Sequence, residues 1–66
     1  MERTWTFRTG DYTVKVYAGD HEPIILVIEY NAPNNFARTE IHITAKQAGE
    51  IGEILEAASK ALGEKE

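Results

Sequence analysis

The amino-acid sequence predicts an α+β domain, a four-stranded antiparallel meander followed by one C-terminal helix (β-β-β-β-α), and three observations predict it. Four runs of alternating apolar and polar residues occupy the first two thirds of the chain. Clusters of Gly, Asp, Asn and Pro separate the runs, as turns require. The last third, Thr44 to Gly63, TAKQAGEIGEILEAASKALG, places Ala48, Ile51, Leu55, Ala58 and Leu62 at steps of three and four, one stripe of a helix.

The first strand is predicted over about 3–9, where Trp5 and Phe7 alternate with Thr4, Thr6 and Arg8. Gly10-Asp11 then suits a two-residue hairpin turn, with glycine supplying the positive φ. The second strand, about 12–18, puts Tyr12, Val14 and Val16 on one side and Thr13, Lys15 and Tyr17 on the other. Gly19 to Pro23 breaks the pattern. The third, about 24–30, is apolar on both faces: Leu26 and Ile28 on one, Ile25 and Val27 on the other, the pattern of a central strand that needs cover on both sides. A long, mobile loop is expected at 31–35, and a fourth strand at about 36–43, with Ala37, Thr39, Ile41 and Ile43 alternating with Arg38, Glu40 and His42. Thr44 fits an N-cap, and Gln47 completes a Thr-x-x-Gln capping box for a helix over about 45–62. Gly63 is the expected stop, with Glu64-Lys65-Glu66 as a frayed tail. The helix is expected to pack across one face of the sheet.

The 66 residues make a single domain, 1–66, of a size that buries only about 60% of its unfolded surface. Such scaffolds add disulfides, a metal or a partner subunit. There is no cysteine, and the two histidines, His21 and His42, do not suggest a zinc site, so no metal and no cofactor are expected and oligomerisation is the remaining device, a dimer favoured. Neither a signal peptide nor a membrane span is legible, and a cytoplasmic protein is expected. The net charge of −4 is uneven. Residues 1–46 carry five basic and six acidic side chains, whereas residues 47–66 carry two and five. Long-range attraction of polyanions is correspondingly weak.

Two features point to assembly. Gly49 and Gly52 each cost about 1 kcal/mol in a helix interior. With Ala45 and Ser59 they form a side of small residues, read either as room for Trp5 and Phe7 of the same chain or as a helix-helix contact between subunits. Ile25 and Val27 point away from the face that one helix can cover, and they are read as an interface or as a small exposed patch. The face they share also carries Arg8, Lys15, Tyr17, Arg38 and His42 among threonines, Glu29 and Glu40. Cations with an aromatic can track a phosphate backbone while a base stacks on Tyr17, although a solvated polar face is the simpler reading. No enzyme is expected: Ser59 has no reason to lie beside either histidine, no phosphate loop or His-Glu-x-x-His occurs, and Glu29, Glu40 and His42 are an ordinary polar trio.

The run Thr39-Glu40-Ile41-His42-Ile43-Thr44 leading directly into the capped helix AKQAGEIGEILEAASKAL, after three short strands, resembles the positive cofactor four type of transcriptional coactivators and their bacterial relatives. The resemblance implies a homodimer that holds single-stranded DNA against its sheets, with Arg8, Lys15, Tyr17 and Arg38 as contacts. The function expected from the residues themselves is a small non-catalytic homo-oligomeric binding protein. It would be an accessory regulator or inhibitor of the kind a compact phage genome encodes, acting on a protein partner or on a small ligand at a subunit boundary. Single-stranded nucleic-acid binding through the outer sheet face is the alternative.

Overall fold

Two-way alternation makes each of the four runs a strand, and the computed structural model, which describes residues 1–65 and side chains through residue 63, gives them as Arg3–Thr9 (β1), Tyr12–Ala18 (β2), Ile24–Ala32 (β3) and Asn35–Ile43 (β4). They form one antiparallel sheet in the order β1-β2-β3-β4, and the helix Ala45–Lys65 (α1) follows. The fold class is the one the sequence predicts.

Register follows from the side chains. Directly paired residues share a face, so Trp5, Val16, Leu26 and Ile41 form one apolar row and Phe7, Val14, Ile28 and Thr39 the next. Tyr12 and Tyr30 extend this face, their rings 5.0 Å apart and tilted by 49°. At the β1–β2 turn Gly10 has φ +57°, the left-handed region that glycine enters freely. Asn31 N–H donates to the Asp11 carbonyl, at 2.9 Å, and ties that turn to β3.

Three expectations change. The loop at 31–35 is instead a hairpin: Asn31 pairs with Phe36 and Ala32 with Asn35, leaving Pro33-Asn34 as a two-residue turn. Proline presets φ for the first turn position, so strand pairing runs to the turn despite the asparagines. The helix does not stop at Gly63 but runs on to Lys65, because Gly63 does not take the positive φ of a left-handed cap; Glu66, expected in a frayed tail, lies outside the described residues.

The third change matters most. The helix does not pack across the sheet. Extensive contact joins each strand to the next, but α1 makes no contact with a strand of comparable extent. Its root is fixed: Thr44 N–H donates to Gln47 Oε1 at 3.0 Å, Gln47 N–H returns a bond to Thr44 Oγ1 at 3.1 Å, and Ala45 N–H donates to the Glu22 carboxylate from the β2–β3 loop. The capping box is as expected, and Glu22 adds a negative charge at the helix N-terminus, where the macrodipole favours it. Farther on, the helix faces the sheet only across an open cleft as far as Leu55 and then stands off as an arm. Ile54, Leu55 and Leu62 are 68%, 64% and 63% exposed.

Candidate functional site

The sheet has two unlike faces. On the outer face the register sets three rows: Thr4, Tyr17, Ile25 and His42; Thr6, Lys15, Val27 and Glu40; Arg8, Thr13, Glu29 and Arg38. All four residues singled out as nucleic-acid contacts therefore lie on one face. The structure also ties two of them to carboxylates. Lys15 Nζ is 3.2 Å from Glu29 Oε1, Arg38 Nε is 3.8 Å from Glu29 Oε2, Arg38 Nη2 is 3.1 Å from Glu40 Oε1, and His42 Nε2 is 2.7 Å from Glu40 Oε2. A ladder of alternating charge crosses three strands. The hydrogen bond from His42, followed by that from Arg38, holds the Glu40 carboxyl below the usual carboxylate range.

Val27 lies under this ladder, flanked in its row by Lys15 and Glu40, and is 1% exposed. Such burial is what long charged side chains in neighbouring strands provide when their methylene stems cover an apolar neighbour and their charged ends reach solvent. Ile25 is half-buried. The expected apolar patch at Ile25 and Val27 is thus closed at Val27 by the chain itself, a neighbour effect that alternation alone does not show. Around the β1–β2 turn, Arg8, Asp11, Thr13, Lys15, Glu29 and Asn31 line an open polar depression of about 380 Å³. His42 and Glu40 meet, as two members of the polar trio, but Glu29 turns to Lys15 and Arg38.

The inner face is the opposite in character. Val14, Val16, Ile24, Leu26 and Ile43 of the sheet face Ala48, Ile51, Gly52 and Leu55 of α1 across a cleft of about 300 Å³. Among the described residues, no polar side chain lines it. Ligand pockets carry a few placed polar groups that orient the ligand, so this cleft has the chemistry of an incomplete core. Toward β1 the same face is bare, with Trp5 52% and Phe7 65% exposed. A Cβ built at Gly49 or Gly52 meets nothing within 4 Å, so the two glycines do not make room for Trp5 and Phe7 of their own chain. The glycines and the outer-face pair stand out in the sequence, whereas Trp5, Phe7, Ile54 and Leu62 emerge as unsatisfied surface only in the structure. Helix length carried no such signal, since about 32 Å of helix matches the roughly 30 Å of the nine-residue strands β3 and β4.

Comparison with protein-family models, with curated protein sequences and with solved structures finds no match.

Proposed function

We propose that this chain is a non-catalytic binding protein that works as a homodimer. A second copy covers the inner apolar face, and the charge-laddered outer face meets a protein partner or small ligand, in the manner of an accessory regulator or inhibitor. One observation carries the reading. The chain exposes 5595 Å², whereas a compact monomer of 7.4 kDa exposes about 4,200 Å². The surplus of about 1,400 Å² per chain corresponds to about 2,800 Å² over two, within the range of obligate homodimers. Its apolar part lies mainly on one side: Trp5, Phe7, Tyr12 and Ile41 on the inner face of the sheet, and Ile51, Ile54, Leu55 and Leu62 on the helix, with Tyr17 and Phe36 exposed on the outer face. Patches of that kind mark interaction sites. Sedimentation equilibrium at micromolar concentration is expected to give twice the chain mass; a single-chain mass throughout that range sinks the proposal.

A second reading, single-stranded nucleic acid on the outer face, is favoured by the shared face of Arg8, Lys15, Tyr17 and Arg38. The carboxylates of Glu29 and Glu40 weigh against it, since they neutralise the cations that would release counterions from a phosphate backbone. Titration of labelled single strands at two salt concentrations separates the readings. Binding that falls steeply with salt and weakens in Lys15→Ala and Arg38→Ala establishes the second; no binding at low salt removes it.

A further inference from the structure

Resting on the homodimer reading, we infer that α1 is an exchanged arm: the helix of each copy seats on the inner sheet face of the other, with Ile54 and Leu62 against the shelf of Trp5, Phe7 and Tyr12.

The argument begins with dimensions. Twenty-one helical residues span about 32 Å, about as long as the nine-residue strands β3 and β4 at about 30 Å, so a helix laid along the sheet would add no breadth and one angled away from it broadens the chain. The chain accordingly measures 40 × 35 × 16 Å, broad in two directions, with a radius of gyration of 14.0 Å. A compact chain of this length has a radius of about 11 Å. The breadth comes from a helix fixed at its root, facing its own sheet only across an open cleft as far as Leu55 and free beyond it.

Each chain therefore shows two unfilled apolar surfaces of matching kind. One is the helical stripe, whose contribution to the cleft ends at Leu55 and whose remainder faces nothing. The other is the β1 side of the sheet, where Trp5 and Phe7 are 52% and 65% exposed and, among the described residues, lie outside the lining of the cleft that α1 forms with the sheet. A two-fold axis satisfies both together, because in a symmetric pair a helix placed on the partner's sheet requires the partner's helix on its own. The surplus surface is of the size that two such seatings bury. A separate amphipathic peptide fills the cleft but leaves the arm bare. Only a second copy supplies a shelf for the arm and an arm for the shelf.

The absence of cysteine in the sequence makes the test direct. Phe7→Cys is combined in turn with Ile54→Cys and with Leu62→Cys, and each double variant is oxidised in its folded state and run on a denaturing, non-reducing gel. A covalent dimer is the expected result. A disulfide-bonded single chain overturns the inference, because the helix then folds back on its own sheet. No bond in either variant, with a native mass of two chains, also overturns it while leaving the homodimer standing; a native mass of one chain overturns both.

Trp5 emission in the unmodified chain gives a second readout that needs no cysteine. It is expected to shift to the blue on assembly and to return to the red on dilution, with the same midpoint as the mass. Leu62→Glu, which removes one buried leucine and adds a charge, is expected to raise the dissociation constant at least about tenfold. Trp5 emission that stays blue in monomeric Leu62→Glu contradicts the exchange.

Discussion

Glu40 receives His42 at 2.7 Å and Arg38 at 3.1 Å, and these two partners hold its carboxyl below the ordinary value for glutamate, about 4.3. A carboxyl whose folded pKa is depressed contributes stability that is present above the unfolded value and is lost as pH falls through the folded one. Acid sensitivity from this residue therefore begins near the ordinary glutamate range and is complete only below it. A carbon-detected titration of the Glu40 carboxyl should place its midpoint below that of an unstructured peptide. His42→Ala should raise the midpoint more than Arg38→Ala does, since the histidine bond is the larger cause; no change in either variant contradicts the ladder. At this scale the sequence was legible up to a limit. Alternation placed Arg8, Lys15, Tyr17 and Arg38 on one face, because a strand's period of two admits no other arrangement. It did not show which of them would be paired, since that depends on rotamers and on which strands adjoin. Val27 was misjudged for the same reason, its cover coming from neighbours in other strands.

Among the elements, α1 was the most legible in its start and the least in its setting. Thr44 and Gln47 make the reciprocal bonds that their spacing implies, and Thr44→Ala should lower stability by about 1 kcal/mol, read as a lower urea midpoint with unchanged native mass. The two glycines are expected to part company. Gly49 stands in open space and does not line the cleft. Gly49→Ala should thus raise stability by about 1 kcal/mol, the ordinary helix-propensity difference. Gly52 does line the cleft, next to Ile51 and Leu55. Gly52→Leu should break the proposed dimer while leaving the strand content of the far-ultraviolet spectrum intact, and an unchanged native mass would exclude that side of the helix from the proposed interface. Packing of the helix onto its own sheet was expected from amphipathicity, yet a stripe says only that a helix faces something apolar. Whether that surface belongs to the same chain depends on the path out of β4, where Thr44 alone separates strand from helix. The β3–β4 hairpin was misread through composition, because asparagine and proline signal a turn without saying how many residues it needs.

For the whole molecule, the decisive quantity is how little a single chain buries. The unfolded chain exposes about 10,700 Å² by the usual scaling, so the 5595 Å² left after folding means that about half is buried, against about 60% for a typical domain of this size. Among the described residues Val27 is the one fully buried side chain, and it lies on the outer face. The inner face, which holds most of the large apolar residues, has no finished core within one chain. If the finishing surface is a second copy, unfolding and dissociation are a single event, and stability becomes inseparable from concentration. The thermal midpoint should then rise steadily over a hundredfold increase in protein concentration, from about one micromolar upward. The dependence of unfolding on urea should also be steeper than one chain's buried surface explains, because the slope follows the surface exposed on unfolding and that surface now includes the interface. A concentration-independent midpoint with a slope proper to a lone chain would mean that the inner face stays open in water. Ile54→Glu serves as the internal control. On the flank of the stripe, it should cost an unassembled chain little, since Ile54 is already 68% exposed, but should abolish the concentration dependence of the assembled one.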